Sequence, residues 1–259
     1  MNEDLSFLPL RPFYFGSAIS THGYGSNEDF IGPNYGNVPR IAYYLKKRHI
    51  FGDLYMEIFD EKGNFLKKVQ TGGKKGINIV SIPIMLDPPK VPKSPVMLGQ
   101  AAFGPSLQEG TYKLKITKGK MSFETELILG PNPKLSHSSE DRALRYETLM
   151  KTYNMLEELA TVDENILSQL SEAQTDLQAA KSKKAKSKAQ VRVDKFEAMH
   201  EGISATQSGE GGILGQIRLR EKIAEIYSAL GGYEGAPTNL QIKALDLYQG
   251  EIDKLKNIL

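Results

Sequence analysis

The histidines are the side chains of this sequence best suited to acid–base or metal chemistry at neutral pH. There are four of them, His22, His49, His137 and His200. No two of them stand at a metal-ligand spacing such as His-x-x-x-His. His22 has the most site-like surroundings, in the run Thr21-His-Gly-Tyr-Gly25. A structural or solvent-exposed role is still the better interpretation of all four, so the histidines predict no metal site.

Carboxylates and glycine-rich loops do not indicate catalysis either. Glu157, Glu158, Asp163 and Glu164 lie along one predicted helix, and nothing places two of them across a cleft as glycosidases require. Residues 72–76 are rich in glycine but lack the phosphate-loop pattern and lie between predicted strands. The chain has no cysteine, which excludes disulfides and thiolate nucleophiles. We therefore expect no catalytic residue, metal or cofactor.

A lysine cluster is the clearest charged feature. It contains Lys181, Lys183, Lys184, Lys186 and Lys188, with no aromatic residue among them. Nucleic-acid surfaces usually add stacking groups or a broader basic face, and the formal net charge of the chain is only +2. Nucleic acid is therefore not the predicted partner. The cluster is typical of a solvated helix end, and an electrostatic docking patch for an anionic partner is the alternative.

Aromatic residues in predicted loops are the candidates for contact with a ligand. Sugar-binding sites usually need exposed aromatic platforms, and the chain has no tryptophan. The loop residues available for such a platform are Tyr14, Tyr24, Tyr35 and Phe103.

Composition limits the class of protein. A chain of 259 residues with 40% hydrophobic and 25% charged residues suits one large domain or two ordinary ones. No apolar run approaches the roughly 20 residues that cross a bilayer, so we expect no transmembrane segment. The acidic start, Met1-Asn-Glu-Asp4, lacks the features of a signal peptide. A natural full-length protein with this start is expected to be cytoplasmic.

Period-2 alternation predicts a β region over residues 40–131. Tyr112, Leu114 and Ile116 alternate with polar residues, and a turn at 118–120 leads into a second alternating run that ends near Leu129. Five prolines between residues 85 and 109 predict a long loop before this hairpin. Short strands with frequent turns indicate a fibronectin-III- or immunoglobulin-like β-sandwich. Residues 1–39, broken by prolines and glycines, read as an extended connector packed on a neighbouring domain.

After the Pro131-Asn-Pro133 boundary the pattern is helical over residues 132–259. A helix from Ser139 to Ala180 carries one apolar stripe, in which Asp163 and Gln174 occupy positions where apolar residues would fit. A third helix is predicted to stop at left-handed Gly231 and Gly232. Helix lengths and short connections favour an antiparallel bundle of about four helices. The predicted fold class is thus α+β, a sandwich followed by a bundle.

Four short sequence segments resemble the C-terminal region of bacterial sortilin-like β-propeller proteins, and they occur in the same order as in that family. They are residues 34–45, residues 54–63, Glu109-Gly-Thr-Tyr-Lys-Leu114 and Glu234-Gly-Ala-Pro-Thr238. Members are often labelled glycosyl hydrolases with BNR or Asp-box repeats. The resemblance implies a connector, an immunoglobulin- or fibronectin-III-like domain and a helical tail. The Asp-box pattern Ser-x-Asp-x-Gly-x-x-Trp cannot be present without tryptophan, so no catalytic residue of the family carries over.

The resemblance implies a noncatalytic structural or protein-interaction region of an exported protein. Its partners would be proteins, including an upstream β-propeller, and its location periplasmic, cell-envelope or extracellular. Two alternatives stay open. One is a carbohydrate-binding accessory module of a glycoside hydrolase, and the other is an oligomerisation module that acts through the helical tail.

Overall fold

The computed structural model describes residues 4–15, 38–95, 98, 101, 103–133, 136–205 and 217–259. In these residues the chain is α+β, with two sheets and four helices. It divides into two compact units. The β unit is Met1–Leu86 with Ser106–Ser136, and the helical unit is Asp87–Pro105 with His137–Leu259.

The β unit contains eight strands in its described residues. They are β1 (Leu5–Phe7), β2 (Phe13–Tyr14), β3 (Arg40–Leu45), β4 (Leu54–Phe59), β5 (Phe65–Gln70), β6 (Gly76–Ser81), β7 (Gly110–Lys118) and β8 (Met121–Gly130). One sheet has the order β1-β3-β6 and the other the order β2-β8-β7-β4-β5. Neighbouring strands are antiparallel except β2 and β8, which are parallel.

The predicted hairpin is present as β7 and β8. Tyr112, Leu114 and Ile116 point inward along β7 and are buried. The chain reverses at Gly119, whose φ of 59° is a left-handed conformation that glycine adopts without strain. On the outer face the Lys113 Nζ atom lies 2.9 Å from the Glu124 Oε2 atom. Alternation thus buries one face and solvates the other.

Both sheets of the β unit contribute to one hydrophobic core, so the arrangement is sandwich-like. The three-stranded sheet supplies Leu5, Ile41, Tyr43 and Leu45, and the five-stranded sheet supplies Met56, Ile58, Leu114, Ile116, Leu127 and Leu129. All are nearly or fully buried. Because β1 pairs with β3, part of the predicted connector over 1–39 is a strand of this core.

The proline-rich loop that precedes β7 belongs mainly to the helical unit. Residues Asp87–Pro105 are grouped with the helices, although the predicted β region of 40–131 spans them. Val91 and Leu98 pack against the helical core. The Ser94 hydroxyl donates to the Ala205 carbonyl at 2.7 Å, and the Tyr227 hydroxyl donates to the Phe103 carbonyl at 2.9 Å. The prolines of the sequence predict a loop here, but they do not predict which of the two hydrophobic cores this loop packs against.

The helical unit contains α1 (Ser139–Ala179), α2 (Lys183–Ile203), α3 (Leu219–Gly232) and α4 (Asn239–Ile258). The Ser138 hydroxyl caps α1 by accepting from the Asp141 amide at 3.0 Å. Thr238 and Gln241 form the predicted capping box of α4. Helix α3 stops at Gly232 as predicted, but the predicted left-handed cap is wrong, because Gly231 and Gly232 are helical and neither has a left-handed φ. The C-cap is Tyr233, which has an extended backbone and whose ring packs against His137.

The core of the helical unit is built on α1. Leu149, Leu156, Leu159 and Ile166 form a buried stripe along it. Each of the other three helices contacts α1. In the part of the chain that the structure describes, no helix combines the length and apolar character needed to cross a membrane.

Candidate functional site

The five clustered lysines lie at the junction between α1 and α2. Lys181 is in the connection, and Lys183, Lys184, Lys186 and Lys188 are on the first two turns of α2. All five are exposed. The Ser182 hydroxyl caps the helix by accepting from the Ala185 amide at 3.2 Å. We call these five residues the lysine tip.

The positive charge of the lysine tip is poorly compensated. No carboxylate occurs between Asp176 and Asp194 in the sequence, and the first turn of α2 has no acidic residue. The Arg192 Nη1 atom lies 2.6 Å from the Asp176 Oδ2 atom, so this carboxylate is already paired. A helix N-terminus carries a partial positive charge, and a cation there opposes it by about 0.3–1 kcal/mol. The tip therefore combines like charges with an unfavourable helix dipole.

Of the four aromatic candidates, the structure describes two, and each of these belongs to a different unit. Tyr14 lies on β2 in the β unit and is exposed, with its ring against the backbone of Gly130. Phe103 is exposed in the helical unit. Tyr24 and Tyr35 lie outside the residues that the structure describes. Within each unit, the described residues thus include one of the four candidates.

A buried ionic cluster in the helical unit was missed by sequence reasoning. The His200 Nδ1 atom lies 2.7 Å from the Asp163 Oδ1 atom, and the Asp163 side chain is only 2% exposed. Burial raises the pKa of the Asp163 carboxyl group, and the hydrogen bond and charge of His200 oppose this rise. The sequence contains one indication of this pair, which is the position of the Asp163 carboxylate within the apolar stripe of α1. The sequence around Asp163 does not indicate that its partner is His200, which is 37 residues away.

A second ion pair lies at the start of α3. The Arg220 Nη1 atom is 2.5 Å from the Glu221 Oε1 atom, and both side chains are buried. The other oxygen of Glu221 accepts from the Arg218 amide at 3.1 Å and thereby caps the helix. Arg220 also lowers the pKa of Asp163, whereas Glu164 raises it. The cluster of Asp163, His200, Arg220 and Glu221 thus joins α1, the end of α2 and the start of α3.

The geometry of this cluster supports a structural role. An Asp–His pair orients the imidazole in many hydrolases, and a nucleophile then hydrogen-bonds to the other ring nitrogen. Ser204 is buried four residues after His200, but its hydroxyl has no hydrogen-bond partner in the described chain. Over the same described ranges no three His, Cys, Asp or Glu residues are grouped so that they could hold a metal ion. Buried charges of this kind fix how helices pack.

The described histidines other than His200 also have local structural partners. The His49 Nε2 atom lies 3.1 Å from the Gly52 carbonyl oxygen. The His137 ring packs edge-on against Tyr233, with the ring centres 5.2 Å apart. His22 lies outside the described residues.

Helix α4 exposes part of its apolar sequence. Leu245 and Ile252 face the core, whereas Leu240 is 78% exposed and Leu247 is 61% exposed. Leu240 and Leu247 are seven residues apart, so they lie on the same side of the helix. This side of α4 is a second candidate interaction surface.

Two comparisons with known proteins found no match. No family model matches the chain, and no curated protein matches it. The resemblance to sortilin-like proteins therefore stays a prediction. Functional inference rests on the lysine tip, on the exposed side of α4 and on the buried cluster.

Replacing Asp163 with Asn tests the buried cluster. A raised pKa in the folded state means that the Asp163 carboxyl group contributes stability that is present below its unfolded-state pKa. This contribution is lost as the pH rises through the folded-state pKa. The free energy of unfolding of the wild type, minus that of Asp163→Asn, should therefore fall as the pH rises from acidic to neutral. Urea unfolding at a series of pH values measures this difference.

The exposed carboxylate Asp194 supplies the control for this pH series. Asp194→Asn also removes one negative charge from the helical unit, but from its surface. The wild-type minus variant difference should be much flatter with pH for Asp194→Asn. A difference for Asp163→Asn that stays constant or rises with pH would contradict the assignment.

Proposed function

We propose that the chain is a noncatalytic interaction region whose helical unit binds an acidic segment of a protein partner through the lysine tip. The observation that carries this proposal is the placement of exposed lysines at the N-terminus of α2. A helix start that serves only stability favours Asp and Glu, because these complement the helix dipole. Here the opposite charges are held in solvent on a capped helix. Binding to an anion would relieve both the repulsion among the lysines and the unfavourable dipole.

The chemistry of the lysine tip favours a carboxylate-rich protein over nucleic acid. None of its five cations is an arginine, so the tip does not offer the bidentate fork that suits phosphate recognition. It also has no aromatic side chain on which a base could stack. Lysine ammonium groups on flexible stems suit several carboxylates spread along an acidic segment.

The wider context of the proposal is the C-terminal region of a sortilin-like propeller protein. Four sequence segments that occur in the same order as in the family support it. The α+β architecture, with two sheets and a four-helix unit, also supports it. In this proposal the β unit is a fibronectin-III- or immunoglobulin-like domain between an upstream β-propeller and the helical tail. The protein would then be exported, in the periplasm, cell envelope or extracellular space, and the propeller would be one of its partners.

Charge reversal at the lysine tip separates binding from stability. Lys183→Glu combined with Lys184→Glu should weaken binding to a polyglutamate peptide at least tenfold at low salt, because it removes two cations and adds two repulsive carboxylates. The same double variant should raise the free energy of unfolding by about 1 kcal/mol, because acidic residues complement the helix dipole. Fluorescence anisotropy and urea unfolding measure the two effects.

Lys62→Glu combined with Lys243→Glu is the matched control, because both residues are exposed and lie outside the lysine tip. It changes the net charge equally and should weaken binding much less. Equal losses for the two double variants would show that only the net charge matters. Affinity that does not depend on salt would also exclude electrostatic docking.

The exposed side of α4 favours oligomerisation as a second candidate function. A second copy of the chain would cover Leu240 and Leu247 by packing its own α4 against them, as in a symmetric helical pair. The core-facing residues of α4 would stay in place, since they lie on the other side of the helix. This association needs no change in the fold of the helical unit.

Sedimentation equilibrium of Leu240→Gln combined with Leu247→Gln tests this association. The wild type should show an average mass that rises with concentration, and the double variant should stay monomeric, because the shared apolar surface is lost. Val191→Gln controls for the loss of an exposed apolar side chain elsewhere in the helical unit. A wild type that stays monomeric at every concentration would rule out this candidate.

A further inference from the structure

Three connections of the β unit meet at one end of the two sheets. The register Leu45↔Gly76 brings the β3–β4 loop beside the β5–β6 loop. The register Leu54↔Lys118 brings the β7–β8 turn to the same end. The Gly119 amide donates to the Asp53 carbonyl at 2.9 Å, and the Lys46 amide donates to the Asp4 carbonyl at 3.1 Å. Residues far apart in sequence thus form one surface.

This end of the β unit is strongly basic, although the whole chain is nearly neutral. Its exposed cations are Lys46, Lys47, Arg48, Lys74, Lys75 and Lys120. Lys118 is also present but forms an ion pair with Asp4, and the pKa of Asp4 is lowered by this hydrogen bond and by the nearby charges of Lys47 and Lys46. Asp53 is the other carboxylate in these connections. The local charge is therefore clearly positive.

Two strongly exposed apolar side chains lie in the β3–β4 loop of this basic surface. Phe51 is 87% exposed and Ile50 is 65% exposed, and both lie in the β3–β4 loop, separated from Arg48 only by His49. Single exposed apolar residues are common on protein surfaces. An adjacent aromatic and aliphatic pair at a loop tip, next to six cations, is a more specific arrangement.

The loop is held in the conformation that exposes these two side chains. The His49 amide donates to the Gly73 carbonyl at 2.9 Å, and the His49 ring contacts the Gly52 carbonyl at 3.1 Å. Gly52 adopts a φ of 86°, which favours glycine. Ile50 and Phe51 lie between these fixed points. The projection of the pair is therefore set by the backbone on both sides.

We propose that this surface, which we call the basic apolar end, docks the β unit on an anionic phospholipid bilayer. Phe51 and Ile50 enter the interfacial layer, and the surrounding lysines and arginine contact lipid phosphates. An exposed apolar pair in a loop rich in cations suits a bilayer, which offers acyl chains to the apolar pair and phosphates to the cations. A nucleic acid would satisfy the cations, but it offers no apolar layer for Ile50. This inference concerns a different unit and a different partner from the lysine tip.

Co-sedimentation of the full chain with lipid vesicles tests the proposal. Vesicles of phosphatidylcholine with about one-third phosphatidylglycerol should bind the chain, and pure phosphatidylcholine vesicles should bind it at least tenfold more weakly. Binding to the anionic vesicles should weaken as salt is added. Lys46→Gln combined with Lys47→Gln should weaken it about tenfold, whereas Lys62→Gln combined with Lys243→Gln, at exposed positions outside both proposed surfaces, should have little effect.

Phe51→Ser isolates the apolar contribution. It should reduce vesicle binding about tenfold, whereas Phe65→Ser, at the opposite end of the β unit and also exposed, should not. Because the chain has no tryptophan, Phe51→Trp provides a single reporter, whose emission should shift to the blue on anionic vesicles. Equal effects of Phe51→Ser and Phe65→Ser, or no emission shift on binding, would overturn the proposal. Equally tight binding to a DNA oligonucleotide that does not need Phe51 would also overturn it.

Discussion

The buried stripe of α1 is the constraint on which the helical unit depends. A helix of 41 residues is about 60 Å long, and its stability comes mainly from packing of its apolar face. No single neighbour covers that length, so α2, α3 and α4 each cover part of it. Surface ion pairs add to the packing of α4, with Lys151 2.7 Å from Asp246 and Lys256 2.6 Å from Glu158. The lysine tip begins at Lys181, eight residues after Ala173, the last buried residue of the stripe.

The polar residues inside this core explain how the helices are aligned with one another. Asp163 interrupts the stripe and requires a partner, which His200 supplies from the end of α2. Arg220 and Glu221 bring the start of α3 to the same region. Buried ion pairs contribute little net stability, but removing one partner is costly, so they disfavour alternative packings. Tyr227 adds a further donor, since its hydroxyl donates to the Phe103 carbonyl at 2.9 Å, and burial raises its pKa to about 12.

The parts of the fold that depend on local physics were predictable from the sequence. The hairpin of β7 and β8 follows from alternation and a glycine turn, and the start of α1 follows from the Ser138 cap. The exposure of the lysine tip follows from its composition. Contacts over long sequence separations were not predictable. They include the Asp163–His200 pair, the packing of residues 87–105 on the helical core, and the meeting of three connections at the basic apolar end.

Hydrogen exchange of the full chain carrying Leu156→Ala tests the central role of α1 most directly. Leu156 is fully buried in the stripe, and its truncation should cost about 2–5 kcal/mol. Leu144→Ala, at an exposed position of the same helix, is the control. If the other helices depend on α1, the most protected amides of α2, α3 and α4 should all exchange faster in Leu156→Ala, by the same free energy. Acceleration confined to α1 and one neighbour would contradict the account.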